Sequence, residues 1–413
     1  MSLNFDVTRV REHFPSVIRP RAPIYFDNPA GTQVTGAVAD GVRDYLLFDN
    51  ANHGGAFATS TRSNAMVNET RAAMADFLGA NSPDEIVFGP NMTTLTYGLS
   101  RALGRTLRPG DEIVVTRLDH DSNIAPWVAL EECGAVVRWV DVHTEDCTLD
   151  FESLAAVLGP RTKLVAVGLA SNAVGTVNDV SRIVRMAHAV DARVFVDAVH
   201  FAPHGPIDVA ELDCDFLSCS VYKFFGPHLG VLWGRRELLE RLPAYKVRSA
   251  PDAPPDRFET GTQNHEGIAG TLEALHYLEW LGNELAPAPV HTRRARLLAA
   301  MHGIRARERE LSHALLQGLQ AVPGLRIFGI TDPDRMGDRV PTFSFTLAQR
   351  TPLEVATHLA SRDIQAWNGN HFAMTIMETL GLEQSGGTVR VGAVHYNTHE
   401  EIDLLVQALH ALT

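Results

Sequence analysis

The stretches Val194-Phe-Val-Asp-Ala-Val199 and Phe216-Leu-Ser-Cys-Ser-Val-Tyr-Lys-Phe-Phe-Gly-Pro-His-Leu-Gly230 decide the architecture. Each opens as a short, continuous apolar run, the pattern of a strand buried on both faces. Each carries one charge at a telling place: Asp197 interrupts the first run, and Lys223 follows the second in a loop dense in Ser, Tyr and Gly. A buried carboxylate is costly without a cationic partner, so Asp197 alone reads as a structural ion pair or an N-cap. Lys223 alone reads as a solvated surface charge. Together they say more. Side chains at the ends of consecutive parallel strands emerge at one carboxyl edge, where open α/β sheets hold ligands.

Working outward, further β-rich runs are expected at Asp111–Leu118, Val136–Val142, Leu164–Ala170 and Leu229–Gly234, separated by helical patterns. This alternation predicts an α/β fold with a mixed, mostly parallel sheet. The tail changes character. Leu272, Leu275, Leu278 and Leu281 have helical spacing, Pro287 to Pro289 break that helix, and a charged helix is expected from about Arg293 to Leu319. Strands at Leu325–Gly329, Thr342–Leu347 and Val389–Gly392 then predict a smaller α+β unit. The expected organisation is an N-terminal segment, 1–20, packing with the small domain, a large ligand-binding domain, 21–285, and a small C-terminal domain, 286–413.

Composition narrows the function classes. A net charge of −13 opposes a phosphate backbone, so no nucleic-acid partner is expected. No apolar run has the length of a membrane span, about 20 residues, and the first residues lack a signal-peptide core, so a cytoplasmic protein is expected. The four cysteines, Cys133, Cys147, Cys214 and Cys219, read as reduced thiols. No metal site is expected.

Three more segments carry chemistry. Phe88-Gly-Pro-Asn-Met-Thr-Thr94 precedes a helical pattern, and free N–H groups and hydroxyls at a helix start make an anion site; the same residues serve equally as a plain N-cap. Asp119-His-Asp-Ser-Asn123 follows a Val/Ile run, where His120 could stack on a flat cofactor and move protons, or be a hydrogen-bonded loop histidine. Arg390 could grip a carboxylate bidentately, or lie on the surface. An acid to hold a ring nitrogen and a lysine to form a Schiff base are what pyridoxal phosphate requires, and Asp197 with Lys223 supply that pair.

In this order, these segments resemble the class V aminotransferase superfamily, and within it the cysteine desulfurase and selenocysteine lyase branch. The resemblance runs from Ile24-Tyr-Phe-Asp-Asn-Pro-Ala-Gly31 to Tyr396-Asn-Thr-His-Glu400, and is most specific at Asp119-His-Asp-Ser-Asn-Ile-Ala-Pro-Trp127, Ser171-Asn-Ala-Val-Gly-Thr176 and Lys223-Phe-Phe-Gly-Pro227. It implies the type I fold of pyridoxal-phosphate-dependent transferases. It also implies roles. Lys223 matches the lysine bonded to the cofactor, Asp197 the carboxylate on the ring nitrogen, and His120 the histidine stacked on the ring. Met92, Thr93 and Ser220 match the phosphate site. Asn172 matches a residue beside the cofactor and the substrate carboxylate, and Arg390 the arginine that grips that carboxylate. Gly261 and Thr262 match a phosphate contact from a second subunit, implying a homodimer with shared active sites.

Three positions depart from the family pattern. His200 stands where glutamine is usual near the cofactor's phenolic oxygen, and Tyr222 where a histidine commonly contacts the phosphate. The third is Phe372, in Trp367-Asn-Gly-Asn-His-Phe-Ala-Met374, where a desulfurase carries its persulfide-forming cysteine. A phenyl ring is no nucleophile. The expectation is therefore a pyridoxal-phosphate enzyme acting on an amino acid, either a C–S or C–Se lyase-type enzyme or an aminotransferase, without the catalytic cysteine. An amino-acid epimerase of the same fold and a non-catalytic cofactor-binding partner in sulfur metabolism are the alternatives.

Overall fold

The structure, a computed structural model, describes residues 5–413; the first four residues of the expected segment 1–20 lie outside the described residues. Seven strands form the main sheet: β1 (Ile86–Gly89), β2 (Glu112–Thr116), β3 (Val136–Val140), β4 (Thr162–Gly168), β5 (Arg193–Asp197), β6 (Phe216–Ser220) and β7 (Gly230–Gly234). Their order is β1-β7-β6-β5-β4-β2-β3. β7 runs antiparallel to both of its neighbours, and the other pairings are parallel. Both faces are covered, each by its own apolar cluster, one including Val165, Val196 and Leu217 and the other Ala166, Phe195 and Phe216. Alternate residues of the same strands thus point into opposite cores, which is why these runs are apolar throughout rather than alternating.

β1 is not among the runs anticipated from the sequence. It has only four residues, hemmed in by a 3₁₀ turn at Pro83–Glu85 and by Pro90, too few to show a period.

The tail folds as expected. The helix His265–Leu285 ends before the Pro287 break, and Thr292 caps the following helix, Arg293–Gln320, by accepting from the Ala295 N–H. A second, antiparallel sheet contains β8 (Leu325–Phe328), β9 (Thr342–Leu347), β10 (Trp367–Gly369) and β11 (Thr388–Gly392), in the order β8-β9-β11-β10. Its own core includes Leu315, Leu319, Phe343, Phe345 and Val391.

Backbone contacts bind this unit to the carboxyl edge of the main sheet. Val340 N–H donates to Gly175 O, and the Ser344 hydroxyl donates to Ala173 O at 2.6 Å. Near the N-terminus, Arg11 pairs with Glu401 at 2.8 Å and donates to Tyr396 O, while Arg9 pairs with Glu284. No helix among the described residues is long and apolar enough to cross a membrane.

Candidate active site

β5 and β6 run side by side, with Asp197 in register with Ser218 and, on the other side, with Gly168. Asp197 therefore ends its strand at the carboxyl edge, and Lys223 follows in the 3₁₀ turn Val221–Lys223 just beyond β6. Both are buried. Neither matches its simplest sequence reading: Lys223 is not a solvated charge, and the Asp197 carboxylate accepts from the Val199 N–H at 2.9 Å rather than capping a helix.

The two line one recess, of about 90 Å³, whose wall also includes Met92, Thr93, His120, Asn172, His200, Ser220 and Tyr222. The recess adjoins an outer chamber of about 540 Å³ that shares His120, Asn172, Tyr222 and Lys223 with it and adds Arg390, Phe372, Trp367 and Glu383. Ten of the twelve site residues expected from the sequence thus converge. Gly261 and Thr262 do not: both are exposed and belong to neither wall.

The floor at one end is the start of the helix Met92–Gly104. Asn91 caps it by accepting from the Thr94 N–H at 2.8 Å. The Met92 side chain turns into the core, so only its backbone is free to serve the recess. What brings this helix start so close is Gly230 at the head of β7. A Cβ there would lie 2.3 Å from the Asn91 carbonyl carbon and 2.6 Å from the Met92 nitrogen.

Electrostatics follow from burial. Lys223 donates to Pro29 O, and desolvation, helped by Arg390 and opposed by Asp197, lowers its amine to about 7. Desolvation raises Asp197 to about 6 against the Val199 N–H and Lys223. Behind it lies a second carboxylate, Asp119, accepting from Gly168 N–H at 2.8 Å and from Asn123 at 3.1 Å; burial and then Asp197 hold it up near 8. Asp119 is not among the site residues expected from the sequence, although it stands just beyond a buried apolar run, the same kind of signal that picks out Asp197.

His120 accepts at Nδ1 from the Ser122 N–H at 3.0 Å, which leaves its proton on Nε2. Burial, with Lys223 and Arg390, drops its ring to about 3. His200 Nε2 meets the Thr342 hydroxyl at 3.0 Å, and burial holds it well below the usual histidine range. Arg390 is buried, not a surface residue. Its guanidinium donates to Asn172 O at 2.9 Å, while its Nε and the Asn172 Oδ1 are both sealed from water without a partner. Orphaned groups of opposite polarity on one chamber wall are what a bound carboxylate and its neighbouring donor would satisfy.

Phe372 and His371 both adopt left-handed backbone conformations, φ 54° and 57°. Asp121 N–H donates to Phe372 O at 2.7 Å, Asn172 donates to His371 O at 2.8 Å, and His371 Nε2 meets the Thr388 hydroxyl at 2.9 Å. The Phe372 ring lies over the chamber, 5.8 Å from the His120 ring with planes 25° apart. None of the four cysteines lines the recess or the chamber. Cys147, Cys214 and Cys219 are buried, and burial raises all three thiols, that of Cys147 to about 11; Cys133 is exposed.

The family model "Aminotransferase class-V" matches residues 24–405. The chain belongs to the class V aminotransferase family. Across 99% of its length it is 36% identical to a probable cysteine desulfurase of Mycolicibacterium paratuberculosis, of which it spans 58%. It is 33% identical, again over 99% of its length, to a cysteine desulfurase of Dickeya dadantii, of which it spans 97%. Among solved structures, the apo cysteine desulfurase of Thermococcus onnurineus NA1 superposes with a TM-score of 0.87 at 28% identity, covering 98% of this chain and 97% of that one. The fold is accordingly the type I fold of pyridoxal-phosphate enzymes, the cofactor this family uses.

The residues present fit that cofactor. A buried amine, a carboxylate across the recess, a neutral imidazole and a helix start with free hydroxyls match a flat, aldehyde-bearing, phosphorylated ring in charge and polarity.

Proposed function

We propose that this chain binds pyridoxal phosphate in the recess and acts on the α-amino group of an amino acid held in the outer chamber, without passing through a protein persulfide. The observation that carries the reading is the convergence of Lys223 and Asp197 at the ends of neighbouring parallel strands on one buried recess.

In this proposal Lys223 holds the cofactor covalently, and Asp197 keeps the ring nitrogen protonated. Thr93, Ser220 and the Met92 backbone serve the phosphate, with the Tyr222 hydroxyl available as a further donor. His120 covers the ring. His200, usually glutamine in this family, stands by the phenolic oxygen as a neutral group. Arg390 and Asn172 take the substrate carboxylate. Bound there, pyridoxal phosphate supplies an electron sink for charge left on the α-carbon. Lys223 would be the group placed to hold and move a proton at the α-carbon, and burial, which lowers its amine to about 7, suits it to act as a base near neutral pH.

On the chamber wall His120 and His371 are held neutral by burial, as is His200 in the recess. Lys223 is the chamber-lining group whose surroundings bring it to about 7. This supports removal and return of a proton on the lysine's side, as in β-elimination or transamination, over epimerisation, which needs a second base on the opposite face.

Phe372 on the chamber wall and the absence of any cysteine from both walls support chemistry without a persulfide. A homodimer belongs to the same reading. Gly261 and Thr262 are exposed, as a contact given to a second subunit would be, and Leu46, Leu47, Phe48 and Phe57 leave an apolar stretch uncovered.

The test is spectral. The purified protein is expected to be yellow, and borohydride to bleach it and label Lys223. Amino acids are then screened for changes in the bound cofactor's absorbance, with keto acid, sulfide and racemised product assayed in parallel. A protein that stays colourless with added pyridoxal phosphate would refute the proposal.

A further inference from the structure

The outer chamber has two ends of opposite character. Arg390 makes the inner end cationic. On the outer wall stands Glu383, in the turn before β11. Its Oε2 is sealed from water and accepts no hydrogen bond, and its Oε1 has only a weak 3.4 Å contact from the Asn370 amide. Two more carboxylates lie close enough for their charges to be felt together: Asp121 is pushed up by burial and by the fields of Glu378 and Glu383. Beside them, Phe372 and Trp367 present large exposed rings to the same space, 72% and 52% accessible. Trp367 sits directly opposite Arg390 in the β10–β11 pairing, so both belong to one face of the small sheet.

We propose, building on the function proposed above, that the chamber selects amino acids whose side chain ends in a cation, with Arg390 holding the α-carboxylate and Glu383 receiving the side-chain cation against the faces of Phe372 and Trp367. Each alternative leaves a specific mismatch. An apolar side chain would close the chamber over an acceptor with no donor. An acidic side chain would meet the Glu383 carboxylate, a charge of its own sign. A short side chain would leave most of about 540 Å³ unfilled, a size at which sites take ligands much larger than cysteine. A cation is attracted by the Glu383 carboxylate on the chamber wall, and the aromatic faces attract it through their quadrupoles.

The experiment uses holoenzyme and pairs of ligands alike except for charge: L-lysine with L-norleucine, and L-arginine with L-citrulline. The second pair guards against reaction of the lysine side-chain amine with the cofactor. Apparent dissociation constants are read from the cofactor's absorbance in wild type, Glu383→Gln and Glu383→Asp. The wild type is expected to prefer the charged member of each pair at least tenfold. Glu383→Gln is expected to reduce that preference about tenfold, and Glu383→Asp to retain most of it. A wild-type ratio near one, tighter binding of L-glutamate than of L-lysine, or a ratio unmoved in Glu383→Gln would overturn this assignment alone. A protein that takes up no pyridoxal phosphate would overturn the proposed function and this assignment with it.

Discussion

Replacing Lys223 by methionine should stabilise the cofactor-free protein, and by an amount that depends on pH. Folding strips the amine of water beside Arg390, lowering it from 10.5 to about 7. Below about pH 7 the folded and unfolded chains both carry the proton, and the full penalty of burying the charge is present. Between about 7 and 10.5 the folded chain has released the proton that the unfolded chain still binds, so stability rises with pH by about 1.4 kcal/mol per pH unit. Over the whole interval that is about 5 kcal/mol, present at neutral pH and gone above 10.5. Methionine keeps a linear side chain without the charge. It leaves Pro29 O without its donor, which offsets the gain by about 1–3 kcal/mol. The net advantage expected at pH 7 is therefore about 2–4 kcal/mol, falling by about 3 kcal/mol between pH 7 and 9.5. Asp119 titrates in both proteins and to first order drops out of the difference, whereas Asp197 is coupled to Lys223, so the pH dependence is read as that of the pair. Urea unfolding of apo wild type and apo Lys223→Met, followed by circular dichroism across that pH range, measures it. A difference that stays flat with pH would show that the buried amine is not held in its neutral form, and would remove the physical basis for Lys223 as a base at neutral pH.

Arg390→Gln is expected to weaken α-amino-acid binding by about 2–4 kcal/mol, roughly 30- to 1,000-fold, as loss of a buried charged partner does. Simple amines without a carboxylate should be affected far less in the same spectral titration. Gly230→Ala places a methyl 2.3 Å from the Asn91 carbonyl carbon and should cost about 1–3 kcal/mol of stability, read by thermal melting, with weaker retention of pyridoxal phosphate on dialysis. Because no cysteine lines the site, replacing all four should leave turnover of the preferred substrate standing, and intact-mass spectra after incubation with L-cysteine should show no persulfide on the wild-type protein. Activity lost with any single cysteine would contradict that reading.

The residues fixed by local pattern were readable from the chain alone. The apolar runs ending near Asp197 and Ser220 announce a doubly covered sheet, and their shared edge brings Asp197 and Lys223 together. What stayed hidden depends on contacts distant in sequence. β1 is too short to show a period and is a strand only because β7 returns antiparallel beside it. Gly230 looks like an ordinary glycine in a strand until the helix start at Met92 is seen pressed against it. Glu383 lies in a stretch with no motif, and Trp367 opens the Phe372 stretch without a role of its own; both acquire meaning only from the chamber they line, and Trp367 from the β10–β11 register. The sequence places Phe372 at the position expected for the desulfurase cysteine, and its stacking beside His120 is visible only in the structure.

The tether of the Phe372 loop has a practical corollary. Asp121 holds that loop through its N–H, which donates to Phe372 O at 2.7 Å, and Asp121 directly follows His120 in the chain. A sulfur carrier needs an arm that swings away from the site to hand over its load. Here the arm is tied to the segment that bears His120, so moving one drags the other. A thiol introduced at position 372 would sit on a loop hydrogen-bonded to the His120 segment, so a persulfide shuttle built on this scaffold would need that loop loosened as well as the side chain changed.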